Sequence, residues 1–99
     1  MALSVVRELT AEDVKRLNKV AERFAKRHDW PLDDEFAPRM EPWDWLDTNM
    51  QFFRQNRDPY ETDKAYLGDL WQACVCRAVG MPIRADVTIA YGHIGYWVA

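Results

Sequence analysis

The side chains best suited to chemistry in this 99-residue chain are two cysteines, two histidines and a run of three carboxylates, and their spacing limits what they can do. Cys74 and Cys76 stand one residue apart in a stretch that reads as helix, so their side chains diverge by about 200° and cannot pair. Cys74 falls on the apolar stripe of that helix and is expected buried. Cys76 falls opposite and is expected exposed, an arrangement suited to a reducing compartment. His28 and His93 have no Ser or Cys nucleophile at a recognisable distance in sequence. His28 sits where a helix should end, and His93 in a turn. The cluster Asp33, Asp34, Glu35 lacks the spaced Gly and distal Glu of a calcium loop. Glycines occur only at 68, 80, 92 and 95, too scattered to cradle a phosphate. The expectation is therefore no catalytic residue, no metal ligand and no cofactor.

Charge is more informative. The net charge is −3, but residues 1 to 28 carry seven basic and four acidic side chains, whereas 29 to 53 carry one basic and seven acidic. At 100° per residue, Lys15, Arg16, Lys19, Arg23, Lys26 and Arg27 share one helix face within an arc of about 120°. Such a face is either a solvated surface or a site for an acidic partner. Nucleic acid is the weaker alternative, because the chain as a whole is acidic, and it would bind with strong salt dependence.

The second unusual segment spans Pro42 to Gln55 and reads as a helix, with Pro at its first position and Asp44 complementing its dipole. Trp43, Leu46, Met50 and Phe53 form its core stripe. Trp45 and Phe52 project about 180° from that stripe, so they are either covered by the loop of residues 29 to 40 or exposed beside Asp44 and Asp47. Exposed, Trp43, Asp44, Trp45, Asp47 and Phe52 would form an aromatic patch with an acidic rim, the composition of an interface anchor. Thirteen aromatics, five of them Trp, exceed what so small a core needs.

The remaining elements place these two surfaces. Leu3 to Leu9 is a β-rich run. Thr10 caps the helix that follows, Asp13 closes a capping box, and Leu9 with Val14 has the spacing of a hydrophobic staple. The buried stripe of this helix is Val14, Leu17, Ala21, Phe24, Ala25 and His28. Asp29 to Met40 holds two prolines and no period, a loop packed by Trp30, Leu32 and Phe36. Asp58 to Gly80 is the clearest helix, started by Asp58, Pro59 and Glu61 and stopped by Gly80 and Pro82. Its stripe is Leu67, Leu70, Trp71, Cys74, Val75 and Ala78. Residues 86 to 99 form a hairpin about a Gly92-His93 loop, opposing Tyr91 to Ile94, Ile89 to Tyr96 and Val87 to Val98.

The opening Val5 to Phe24, VVRELTAEDVKRLNKVAERF, resembles the first strand and helix of Gcn5-related N-acetyltransferases, and the closing DVTIAYGHIGYWVA resembles that family's next two strands. The resemblance implies a GNAT-like protein or fragment. The family's acetyl-coenzyme A loop, Gln/Arg-x-x-Gly-x-Gly/Ala leading into a helix, has no counterpart here, so no functional residue is carried over.

Together these features lead to one domain, residues 1 to 99, of α+β class: three helices packed on a three-stranded, mainly antiparallel sheet in the order β-α-α-α-β-β. The expected role is a non-enzymatic module that binds another protein as inhibitor or adaptor, in the manner of phage-encoded antagonists such as anti-CRISPR proteins, through the acidic and aromatic segment first and the basic face of the first helix second. No apolar run approaches the 18 residues of a membrane span and no secretory signal opens the chain, so the expected setting is the cytoplasm. The oligomeric state is open.

Overall fold

A computed structural model describes residues 2–32, 40–55, 62–81, 86–90 and 92–98. In chain order the elements are β1 (Ala2–Glu8), α1 (Ala11–Arg27), α2 (Pro42–Gln55), α3 (Thr62–Val79), β2 (Asp86–Ala90) and β3 (His93–Val98).

The local signals act where the sequence places them. Thr10 Oγ1 accepts from Asp13 N and an Asp13 oxygen accepts from Thr10 N, which completes the capping box of α1. At the far end His28 is the C-cap and Asp29 takes a left-handed φ of 52°. Trp30 N then donates to Ala25 O at 2.8 Å, so Asp29 closes the helix in the position glycine usually fills. Glycine does fill it in α3. Gly80 has φ 73°, Met81 N donates to Cys76 O and Gly80 N to Arg77 O, the paired bonds of a Schellman closure. The expected start of α3 at Asp58, Pro59 and Glu61 lies outside the described residues, as do Asp33, Asp34, Glu35 and Phe36.

The expectation of three helices packed on a three-stranded sheet is overturned. The molecule is predominantly helical, with helices of 17, 14 and 18 residues against strands of 7, 5 and 6. The helices pack on one another, α1 on α2, α1 on α3 and α2 on α3, and among the described residues only α3 lies closely along a strand, β2. The strands hydrogen-bond antiparallel in the order β1-β3-β2. Their described contribution to the core is Val87 and Ile94, with Ile89 packed against its edge. The reason is mutual complementarity of the helices. Leu17, Ala21 and Phe24 of α1 meet Trp43, Leu46 and Met50 of α2, and Trp71 and Val75 of α3 join the same cluster. These residues are covered by neighbouring helices, and burial at about 25 cal/mol per Å² rewards any apolar neighbour equally.

Two register expectations are corrected with it. Ile89 pairs with Ile94, Val87 with Tyr96 and Ala90 with His93, so His93 already belongs to β3 rather than to the loop. The positive φ is at Gly92. The observed register differs from the expected one by two residues, a shift that preserves the period of two, which is why alternation alone cannot detect it.

The cysteines are reversed. Cys76 is fully buried in the core and Cys74 is half-buried. Buried positions on α3 run Ala65, Gly68, Gln72, Cys76 and Val79 beside Trp71 and Val75, because α1, α2 and β2 contact α3 from different sides. A helix with so many neighbours keeps a narrow open face, on which Tyr66 and Arg77 stand. Gln72 serves this arrangement: Nε2 donates to Val87 O at 3.1 Å and Oε1 accepts from Gln51 Nε2 at 3.2 Å, tying α3 to both β2 and α2.

Candidate protein-binding groove

Four of the six residues of the stripe expected in the core of α3 are only partly buried. Leu67, Leu70, Cys74 and Ala78 touch the core cluster from its edge, and three of them face an open groove of about 1050 Å³ between α1 and α3. The groove's floor comes from Val20 and Phe24 of α1 and from Leu70, Ala73, Cys74 and Ala78 of α3.

The rim is basic. On α1, Arg16, Lys19, Arg23 and Arg27 stand at spacings of 3, 4 and 4 residues, one continuous ridge, and Arg77 faces them from α3. All five are exposed. No carboxylate appears among the described residues that line the groove. The nearest ion pair is Arg16 to Asp13 at 3.9 Å, and that carboxylate is already held by Arg7. Among the described residues Lys19, Arg23, Arg27 and Arg77 have no salt-bridge partner. Tyr66, 63% exposed, also lines the groove.

The predicted sites divide. Four of the six cations on α1 line the groove, while Lys15 and Lys26 are exposed but lie off it. The acidic and aromatic patch does not assemble as expected. Trp43 is 6% exposed and belongs to the core cluster, a correction to its place in a contact surface, because α1 and α3 both cover its face of α2. Asp47 accepts from Trp71 Nε1 at 2.8 Å, and burial pushes its carboxyl above the ordinary carboxylate range. It braces α2 against α3. Burial likewise raises Asp44. Trp45 is half-buried, and Phe52, 59% exposed, rests against the ring of Phe53 at 5.9 Å. Phe53 in turn meets Trp30 edge-on at 5.3 Å, so the start of the 29 to 40 segment packs on α2.

The groove brings together residues that sequence reading kept apart. Arg77 and Tyr66 were not singled out, although Tyr66, Ala73 and Arg77 sit at i, i+7 and i+11, one face of α3. Cys74 and His28 also converge here. The pair has no mark of a nucleophilic centre. Burial pushes the Cys74 thiol up against the opposing pull of Arg77 and Arg27, whereas an attacking cysteine needs a lowered pKa. The His28 ring packs on Phe24 with centroids 4.5 Å apart. Among the described residues no group of three His, Cys, Asp or Glu is placed to hold a metal ion, and no helix is long and apolar enough to cross a membrane.

Comparison with protein-family models, with curated proteins and with solved structures gives no match. The likeness to Gcn5-related N-acetyltransferases therefore rests on the residues of the two chain ends alone.

Proposed function

We propose that this chain is a non-enzymatic module that binds another protein, as inhibitor or adaptor, and that its contact surface is the groove between α1 and α3. The observation carrying this reading is the combination of an apolar floor with five exposed cations and no lining carboxylate. Open apolar surface of this kind is unfavourable in water and is the usual mark of a binding face. Unneutralised charge around it steers association and excludes wrong partners.

The test compares three tagged forms in capture from lysate of the source organism: the native chain, Arg23→Glu with Arg27→Glu, and Trp45→Ala with Phe52→Ala. The charge-reversed form is expected to lose the captured protein at unchanged melting temperature, while the aromatic form keeps it. The reverse result would move the contact surface to α2 and sink the groove reading.

A further inference from the structure

The dimensions and charge layout of the groove specify a class of occupant, an inference that rests on the groove being the binding surface. Arg16 and Arg27 lie eleven positions apart on α1, about 16 Å or three turns at 1.5 Å per residue. A helix about 10 Å in diameter laid along that ridge would run beside α1 and α3 for about three turns. Two packed helices also present the ridges between which a third naturally lies.

Charge sets the rest. A helix seated there has its apolar stripe on Val20, Leu70, Ala73 and Ala78. One flank meets Arg16, Lys19, Arg23 and Arg27 and the other meets Arg77. We infer that the groove takes an acidic amphipathic helix of about three turns, with a Leu-like stripe and carboxylates on both flanks, those facing α1 contributing most. A nucleic acid fits less well. Tyr66 is exposed in the groove, but Phe24 is buried and the rest of the floor is aliphatic or Cys74, where single strands need several stacked rings, and the remaining surface of a chain with net charge −3 repels phosphates.

The experiment uses the full chain and fluorescent peptides of about fifteen residues: one with a Leu stripe flanked by Glu, its Gln-for-Glu twin, and its Ser-for-Leu twin. A (dT) oligonucleotide of similar length is the nucleic-acid arm. Anisotropy is read at about 50 and about 300 mM NaCl, where screening lengths differ more than twofold. The Glu peptide is expected to bind at least about tenfold tighter than either twin at low salt and to lose most of its advantage over the Gln twin at high salt. Arg23→Glu with Arg27→Glu should erase the preference for Glu over Gln. Equal binding of the Glu and Gln peptides, no binding of either, or saturable binding of (dT) in preference to the Glu peptide would each overturn the inference. So would a dimer in sedimentation equilibrium that the same two substitutions dissolve. If lysate capture depends on Arg23 and Arg27 while the Glu peptide shows no preference, the groove stands and the acidic helix falls. If capture is indifferent to them as well, both fall.

Discussion

Arg7 of β1 grips Asp13 of α1 with both ends of its guanidinium, and the same group donates to Val79 O at the end of α3. Nη1 bonds Oδ2, Nη2 bonds Oδ1 at 2.9 Å, and Nη2 reaches the Val79 carbonyl at 2.9 Å. The strand is shaped for this. The pairing of β1 with β3 slips between Val5 and Arg7, and such a bulge re-aims the side chain that follows it. One guanidinium thus joins three elements, and the carboxylate of Asp13 that holds it caps α1 as well. Removing it by Asp13→Ala leaves a half-buried guanidinium unpaired and should cost about 3 kcal/mol, against about 1 for the cap change Thr10→Ala. Urea titration measures both. Arg7 first, and the Thr10 donors after it, hold the Asp13 carboxyl well below the usual carboxylate range. A lowered native pKa means this stabilisation is complete above pH about 4 and is lost as the pH falls toward the native value. Asp13→Asn should lack that acid-side slope, and retention of the slope would show that another group sets it.

Asp47 works in the opposite sense. Burial raises its carboxyl despite the bond from Trp71, so at pH values between the unfolded and the native pKa the folded chain holds a proton that the unfolded chain has released. Stability from this group therefore falls as the pH rises from about 4 through the raised native pKa. Asp47→Asn keeps an oxygen for Trp71 Nε1 and should be as stable as the native chain at neutral pH or more so, with a flatter profile. Asp47→Ala leaves the indole N–H without its acceptor and should cost about 1 to 3 kcal/mol. Urea midpoints across the pH range separate the two.

Gly68 lets α2 and α3 approach. A Cβ there would stand 2.5 Å from Arg54 Cγ and 2.9 Å from Met50 O. The arginine chain can move, but the carbonyl belongs to α2 itself. Ala gains about 1 kcal/mol of helix propensity over Gly, while forced separation of packed elements costs about 1 to 3. Gly68→Ala should therefore lower the melting temperature by several degrees and disturb the Arg54 to Asp69 ion pair, 3.2 Å long.

Trp43 and Phe52, nine residues apart on one helix, should behave as opposites. Trp43→Ala opens the core and is expected to cost about 3 to 5 kcal/mol. Phe52→Ala removes a ring that is mostly in water and should stay within about 0.5 kcal/mol. Thermal denaturation of the two variants decides it, and a large loss from Phe52→Ala would place that ring in a packed environment.

Legibility in the sequence followed the range of the interactions. Elements with chemical end signals could be read closely: Pro42–Gln55 runs as expected, Thr10 with Asp13 starts α1, and Gly80 ends α3. These depend on residues three to five apart. What the helices pack against depends on the whole chain, and there the reading failed, because an apolar stripe does not state whether a sheet or another helix covers it. The misplaced cysteines follow from the same cause: Cys76 lies opposite the strongest stripe, yet α3 is enclosed from several sides. The basic face of α1 was visible as charge. The groove was not, since it arises only where that face meets Leu70, Cys74 and Arg77 of another helix. Arg7 gave no signal either, its pairing to Asp13 being created by a bulge.

Cys74 offers the most direct test of the binding surface, since it lies in the groove floor while Cys76 is fully buried. Maleimide labelling is followed by mass spectrometry on the native chain alone and after loading with its captured partner. A partner seated between α1 and α3 should slow modification of Cys74 by about tenfold or more, since a thiol shielded from the reagent reacts only when the site opens. An unchanged Cys74 rate in the loaded complex would contradict the account.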